Sequence, residues 1–221
     1  MNKDGLYPLI VLGGGGHASV LVEILQDQGR EIIAVVSPDD ITSRSIFSGL
    51  QWLCSDNEVL KNYSKDSVRL VNGIGMLPNS KHRKAVGEYY SSLGYKFERI
   101  ISSSAIVSDY SVLEEGTQVL HFGLVNTGAS IGRHSIVNDG AIVEHDSKIG
   151  AFNHICPKAT VCGQVKTGDD TFVGAGATII QGIVVPSGSV VGAGVTVSNR
   201  YAIDHNYGAF SKTNVTGTGN D

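Results

Sequence analysis

From Val107 onward, an aliphatic residue recurs at every sixth position without a single insertion. The series runs Val107, Leu113, Val119, Val125, Ile131, Val137, Val143, Ile149, Ile155, Val161, Thr167, Val173, Ile179, Val185, Val191 and Val197, and only Thr167 breaks it. This period is the hexapeptide repeat of a parallel β-helix. Each hexad supplies one short strand and a turn. Three hexads close a triangular coil of eighteen residues, and the aliphatic of each hexad points inward to stack on its equivalents above and below. No coil buries its own apolar face alone, so the roughly five coils present need one another. The hexapeptide class implies a left-handed coil; spacing alone does not give the hand. Glycine often follows the aliphatic, as at Gly132, Gly150, Gly168, Gly174 and Gly192. Small residues there suit turns with unusual backbone angles.

Residues 1–101 obey a different grammar. A short apolar strand, Leu9 to Leu12, runs into a glycine-rich turn. Val20, Leu21, Ile24 and Leu25 then recur at helical spacing, and Gly29 is a stop signal. Further strands are expected at Glu31–Val36, Ser67–Gly75 and Tyr95–Ile101, with a helix over Ser80–Ser92. Alternating strand and helix imply a small Rossmann-like α/β domain with a parallel sheet. The expected organisation is therefore 1–101 as an α/β domain, 102–200 as the β-helix, and 201–221 as a C-terminal loop and tail. The composition of the last nine residues, TNVTGTGND, predicts disorder.

The repeat gives meaning to particular pairs. Residues eighteen apart lie on adjacent rungs, about 4.8 Å from each other. His145 and Gly163 are such a pair, each the second residue after a stacked aliphatic. A reacting atom between the imidazole and the Gly163 N–H would meet a proton acceptor and an oxyanion donor together. Glu144 and Asp146 flank the histidine, and a carboxylate can fix its tautomer and stabilise its cation. The competing reading is a surface histidine on a β-helix corner. Metal binding by His145, Asp146 and His154 matches no compact ligand spacing.

In the first domain, Gly13, Gly15 and Ala18 satisfy G-x-G-x-x-G/A between a strand and a helix. Such a loop brings backbone N–H groups to a phosphate at a helix N-terminus. An NAD site wants an acid near the end of the second strand; Ser37 stands there instead.

Together, GGGGHA at 13–18, NGIG at 72–75, the hexads, EHD at 144–146, HICPKA at 154–159 and FVGAGATI at 172–179 resemble the bacterial nucleotide-sugar acetyltransferases. These join a nucleotide-binding domain to a left-handed β-helix. They include UDP-4-amino-sugar (bacillosamine-type) and GDP-perosamine N-acetyltransferases and sialic acid O-acetyltransferases. The resemblance implies acetyl-CoA as acyl donor and a 4-amino-4,6-dideoxy sugar nucleotide as acceptor, in surface-glycan or lipopolysaccharide biosynthesis. It implies direct transfer with His145 as general base, Asp146 as its orienter and Gly163 N–H as oxyanion donor. CoA contacts are implied at His154, Gly163, Ala175, Gly176, Ala193 and Lys212. The nucleotide sugar is implied at Gly14, Gly15, Gly16 and His17, with Gly73 and Gly75 on the other side. Relatives carry an acid at the position of Ser37, so Asp39 is the alternative contact to the base. Relatives end in a G-x-P-A-K-like loop, replaced here by Gly208-Ala-Phe-Ser-Lys212. Relatives also form homotrimers with CoA in the groove between two columns.

Composition narrows the field. The chain has 221 residues, 28 of them glycine and 5 proline, and a net charge of −4. It offers no basic stripe for nucleic acid and no apolar run of the ~20 residues a membrane span needs. The N-terminus lacks a long signal-peptide core, which makes a cytoplasmic location the default. Cys54, Cys156 and Cys162 read as free thiols. Sugar O-acetylation and a non-catalytic trimeric scaffold are the alternative functions.

Overall fold

The computed structural model describes residues 6–198 together with the strand Asn206–Tyr207. Lys212 and the 208–221 tail lie outside the described residues. The N-terminal domain carries a four-stranded parallel sheet of β1 (Leu9–Leu12), β2 (Ile32–Val36), β3 (Gln51–Leu53) and β4 (Arg69–Asn72), in the order β3-β2-β1-β4. Helices α1 (Gly16–Asp27), α2 (Asp56–Asn62) and α3 (His82–Ser92) connect or follow the strands. All four residues of β1 are buried, as expected for a central parallel strand covered on both faces. The spacing of Leu21, Val22, Ile24 and Leu25 gives α1 one buried stripe, and Gly29 follows the helix in a left-handed conformation.

Three elements depart from the sequence reading. Strand β3 and helix α2 are absent from it, because Gln51 and Trp52 are exposed and only Val59 of α2 is buried. The expected strand Tyr95–Ile101 divides. Phe97 forms an isolated bridge to Leu70, while Ile100–Ile101 pairs with Gln118–Val119 as the first rung of the second domain.

That domain is a column of two-residue strands whose partners lie eighteen residues apart along the repeat, as in Val143 against Val161, except that Val190 pairs with Asn206, sixteen residues on. Its three faces hold seven, six and five strands. The first runs from Ile100–Ile101 to Asn206–Tyr207 and carries the N-terminal domain; it is termed the docking face. The second runs from Ile106–Val107 to Thr196–Val197 and points Ile106, Leu124, Ile142, Thr160, Thr178 and Thr196 outward (the threonine face). The third runs from Val112–Leu113 to Val184–Val185 and shows Lys148 and Lys166 (the lysine face). The stacked aliphatics from Val119 to Val197 form one dry core. Thr167, the exception, is 7% exposed. Its hydroxyl accepts from Asn153 Nδ2 at 2.5 Å and Gly150 N at 3.2 Å, so the buried polar pair is satisfied.

The turns correct one assignment. Positive φ falls three residues after the aliphatic, at every sixth position from Gly116 to Gly194, including Asp146 at 60°. The glycines directly after the aliphatic serve close stacking instead: a Cβ on Gly132 would lie 2.5 Å from the Gly150 backbone.

Leu120 and Ile136 on the column share an apolar cluster with Leu9, Val11, Leu21 and Val71 of the first domain. Each buried aliphatic of this kind contributes about 1.5–3 kcal/mol. The two domains thus meet through a genuine core.

Candidate active site

His145 stands at the corner between the threonine and lysine faces, opposite the docking face. The left-handed turn at Asp146 places its Oδ2 2.9 Å from His145 Nδ1. A carboxylate only accepts, so Nδ1 carries the hydrogen and Nε2 presents a lone pair. Both side chains are more than half exposed, 56% and 60%. Glu144 takes no part in orienting the ring. It accepts from Asn126 Nδ2 at 2.9 Å and from the His145 backbone N–H at 3.4 Å.

Two glycines make room for this pair. A Cβ on Gly163 would sit 2.6 Å from His145 Nε2, and one on Gly128 would sit 2.5 Å from Asp146 Oδ1. Gly163 does not have a left-handed φ, so glycine is required there for space. Gly128 escaped the sequence reading, although it lies eighteen residues before Asp146. The amide of Gly163 has no acceptor among the described residues, whereas its neighbour Gln164 N–H donates to His145 O at 3.0 Å. An exposed imidazole lone pair and a free backbone donor therefore occupy adjacent rungs.

His154 lies elsewhere. It is 8% exposed on the docking face. Its Nδ1–H donates to Met76 O at 3.1 Å, and Nε2 accepts from Asn138 Nδ2 at 2.9 Å. Desolvation, with a smaller push from Arg83, lowers its pKa to about 4, so the ring is neutral near pH 7. Ala175, Gly176 and Ala193 stand at the corner between the docking and threonine faces. The Ala175 and Ala193 amides have no acceptor among the described residues, while Gly176 N–H donates to Pro157 O. One chain does not bring these residues to His145. Cys156 is buried and its thiol is pushed up to about 12 by desolvation, which suits packing rather than nucleophilic attack.

The glycine-rich loop opens onto a cleft of about 450 Å³ at the domain junction, lined by Gly16, His17, Gly75, Met76, Asn138 and His154 among others. Gly15 and Gly16 face open space, while a Cβ on Gly14 would meet Ile41 at 2.4 Å. The amides of Gly14 to His17, and of Gly75 and Met76, have no acceptor among the described residues. His17 Nε2 pairs with Gln118 Oε1 at 2.8 Å, so Nε2 carries the hydrogen. Burial first, then the Arg83 charge, lowers its pKa to about 3. Gly73 is a packing residue: a Cβ there would lie 2.8 Å from Ala18 Cβ. Ser37 is 4% exposed. Its hydroxyl accepts from Asp39 N–H at 3.2 Å, and its carbonyl accepts from Trp52 Nε1 at 2.9 Å. It belongs to the wall, and Asp39 is the exposed member of the two. Among the described residues, no three His, Cys, Asp or Glu side chains gather as a metal site, and no helix is long and apolar enough to cross a membrane.

Comparison with known proteins agrees with both halves of this arrangement. Residues 8–90 match the PglD N-terminal domain, and residues 164–199 match the hexapeptide repeat of succinyl-transferase. GDP-perosamine N-acetyltransferase of Escherichia coli O157:H7 is 26% identical over 187 residues, covering 83% of this chain and 80% of that protein. The structure of PerB from Caulobacter crescentus, in complex with CoA and GDP-perosamine, aligns with TM-score 0.76 and 30% identity over 88% of this chain and 90% of that one. The acetyltransferase domain of PglB from Neisseria gonorrhoeae FA1090, in complex with acetyl coenzyme A, aligns with TM-score 0.75 and 28% identity over 88% and 94%. With a Rossmann-like domain docked on a hexapeptide column and likeness spanning both, the chain belongs to the bacterial nucleotide-sugar N-acetyltransferases and is an acyltransferase.

Proposed function

We propose that the protein transfers acetyl from acetyl-CoA to the amino group of a nucleotide-linked 4-amino-4,6-dideoxy sugar. The observation that carries this reading is the pairing of His145, oriented by Asp146, with the unoccupied amide of Gly163 one rung away. The amine nitrogen attacks the thioester carbon, and His145 Nε2 accepts its proton. Negative charge builds on the former carbonyl oxygen, which the Gly163 N–H stabilises. The C–S bond then breaks, and CoA leaves with its sulfur as thiol after protonation from the imidazolium. One preorganised oxyanion donor is typically worth about 10²–10³ in rate.

The same reading calls for a homotrimer. Within one chain the glycine-loop cleft lies on the docking face and His145 on the opposite corner, so a sugar held in that cleft reaches the base of another copy. The outward row of the threonine face carries no charge from Ile106 to Thr196, which suits burial against a second column. A groove between two columns would be walled by one corner of each. His145 and Gly163 would lie on one wall, and Ala175, Gly176 and Ala193 on the other, with CoA between them. Gly15, Gly16 and His17 would face the diphosphate, and Asp39 would lie toward the base. The reactants are soluble metabolites of the cytoplasm, which is where the enzyme would act.

Thiol release from acetyl-CoA, measured with a panel of UDP- and GDP-linked 4-amino sugars, tests the proposal. Turnover with at least one such sugar, and none with its hydroxyl counterpart, is expected. Turnover with hydroxyl sugars alone would assign O-acetylation instead.

A further inference from the structure

Arg83 is the most unusual charge in the molecule. Its side chain is 2% exposed, and no acid pairs with it among the described residues. It is held by carbonyls instead. Nη1 donates to Asn72 O at 2.9 Å and Ile74 O at 2.6 Å, while Nε and Nη2 donate to His134 O at 3.3 and 3.1 Å. The Asn72 side chain returns a bond to Arg83 O at 3.0 Å. Arg83 thus ties the 72–76 segment to a turn of the column. Two further donors act on the same segment: Gln118 Nε2 to Asn72 O at 2.8 Å, and His154 to Met76 O at 3.1 Å. The carbonyls of residues 72, 74 and 76 are all engaged by side chains, and the amides of Gly75 and Met76 are left without acceptors.

A guanidinium removed from water with no counter-charge is costly. Burial alone holds Arg83 down to about 9, still cationic at neutral pH. It stands directly behind the cleft, because the Ile74 carbonyl it binds at 2.6 Å adjoins Gly75 and Met76 of the lining, and its charge adds to the burial that keeps His17 and His154 neutral. No Asp or Glu lines that cleft among the described residues. The structure therefore holds a buried positive charge behind one wall, free amides on both walls, and neutral histidines at its base. An anion in the cleft would supply the missing compensation.

We propose that Arg83 is the buried counter-charge and positioning residue of the nucleoside-diphosphate site, fixing the 72–76 wall and stabilising a diphosphate seated between it and Gly15–His17. This rests on the function proposed above. It assigns to Arg83 an effect on nucleotide affinity that no direct contact would reveal.

Calorimetry with UDP, GDP and CoA on wild type, Arg83→Lys and Arg83→Met tests it. One charge acting across several ångströms at intermediate dielectric predicts about tenfold weaker nucleoside-diphosphate binding by Arg83→Met. CoA affinity should stay unchanged, and Arg83→Lys should recover most of the loss. In turnover, KM for the nucleotide sugar should rise while kcat holds. Equal nucleotide binding by wild type and Arg83→Met overturns the proposal, as does a parallel loss for CoA that Arg83→Lys does not restore. If Arg83→Met fails to fold, hydrogen exchange on the wild type decides. Bound UDP or GDP should protect residues 74–76 and, across the junction, 133–135; protection confined to 13–18 contradicts the role. Wild type that binds neither nucleotide nor turns over any amino sugar would remove the proposed function itself, and this inference with it. A wild type that turns over sugar as well as Arg83→Met does would remove only the latter.

Discussion

The column corner and the domain junction use the same side chain in opposite ways. At the corner, His145 is more than half exposed and hydrogen-bonded to an equally exposed carboxylate. At the junction, His17, His134 and His154 are withdrawn from water, their pKa values lowered to about 3, 3 and 4, chiefly by desolvation. Burial makes the junction histidines neutral fixtures, donating and accepting in set directions or, for His134, stacking on Phe152 at 4.8 Å. Exposure leaves the His145 Nε2 lone pair open to a reactant, and Asp146 fixes the ring from the other side. Titratable residues do chemistry where water or substrate can reach them and where a partner answers the charge.

The contrast can be broken most severely at the corner. His145→Ala is expected to lower kcat by about 10²–10⁴, the usual worth of a positioned base, with the melting temperature unchanged; thiol-release kinetics alongside thermal unfolding check both halves. Gly163→Ala should cost about 10², because the added methyl occupies the space beside Nε2 and no backbone strain arises to unfold the turn. Asp146→Asn should cost about tenfold, a fraction of the base's full contribution, since the imidazole stays in place but loses the partner of its cation. The junction gives the smallest effect at neutral pH and a growing one in acid. There the unfolded chain takes up protons near pH 6.5, while the folded histidines resist until about pH 4 or 3. Stability is therefore complete above pH 6.5 and falls as pH drops through this window, by about 1.4 kcal/mol per unit per histidine. His154→Asn should flatten the slope of unfolding free energy against pH, measured by urea denaturation.

Much of the column was legible because its chemistry is periodic. A stacked aliphatic every six residues defines the rungs, and the eighteen-residue step by itself sets His145 over Gly163. The same step would have revealed Gly128 beneath Asp146. The junction was not legible, because its bonds join residues with no sequence relation. His17 meets Gln118, 101 positions away, and Arg83 meets His134, 51 away. Ser37 illustrates a related gap: its position after β2 is readable, but the turn that buries its hydroxyl against Asp39 N–H is a tertiary outcome. Strand β3 fell below notice because exposed Gln51 and Trp52 give it no apolar signature.

In the proposed mechanism His145 Nε2 accepts the proton of the attacking amine beside the Gly163 amide. A crystal structure of the protein with CoA and a nucleotide-linked 4-amino sugar, GDP-perosamine or a UDP counterpart, tests it directly. The sugar nitrogen is expected within hydrogen-bond reach of Nε2, about 2.6–3.2 Å, with the CoA sulfur alongside Gly163. An amine seated away from His145, with its nitrogen facing a different base, would contradict it.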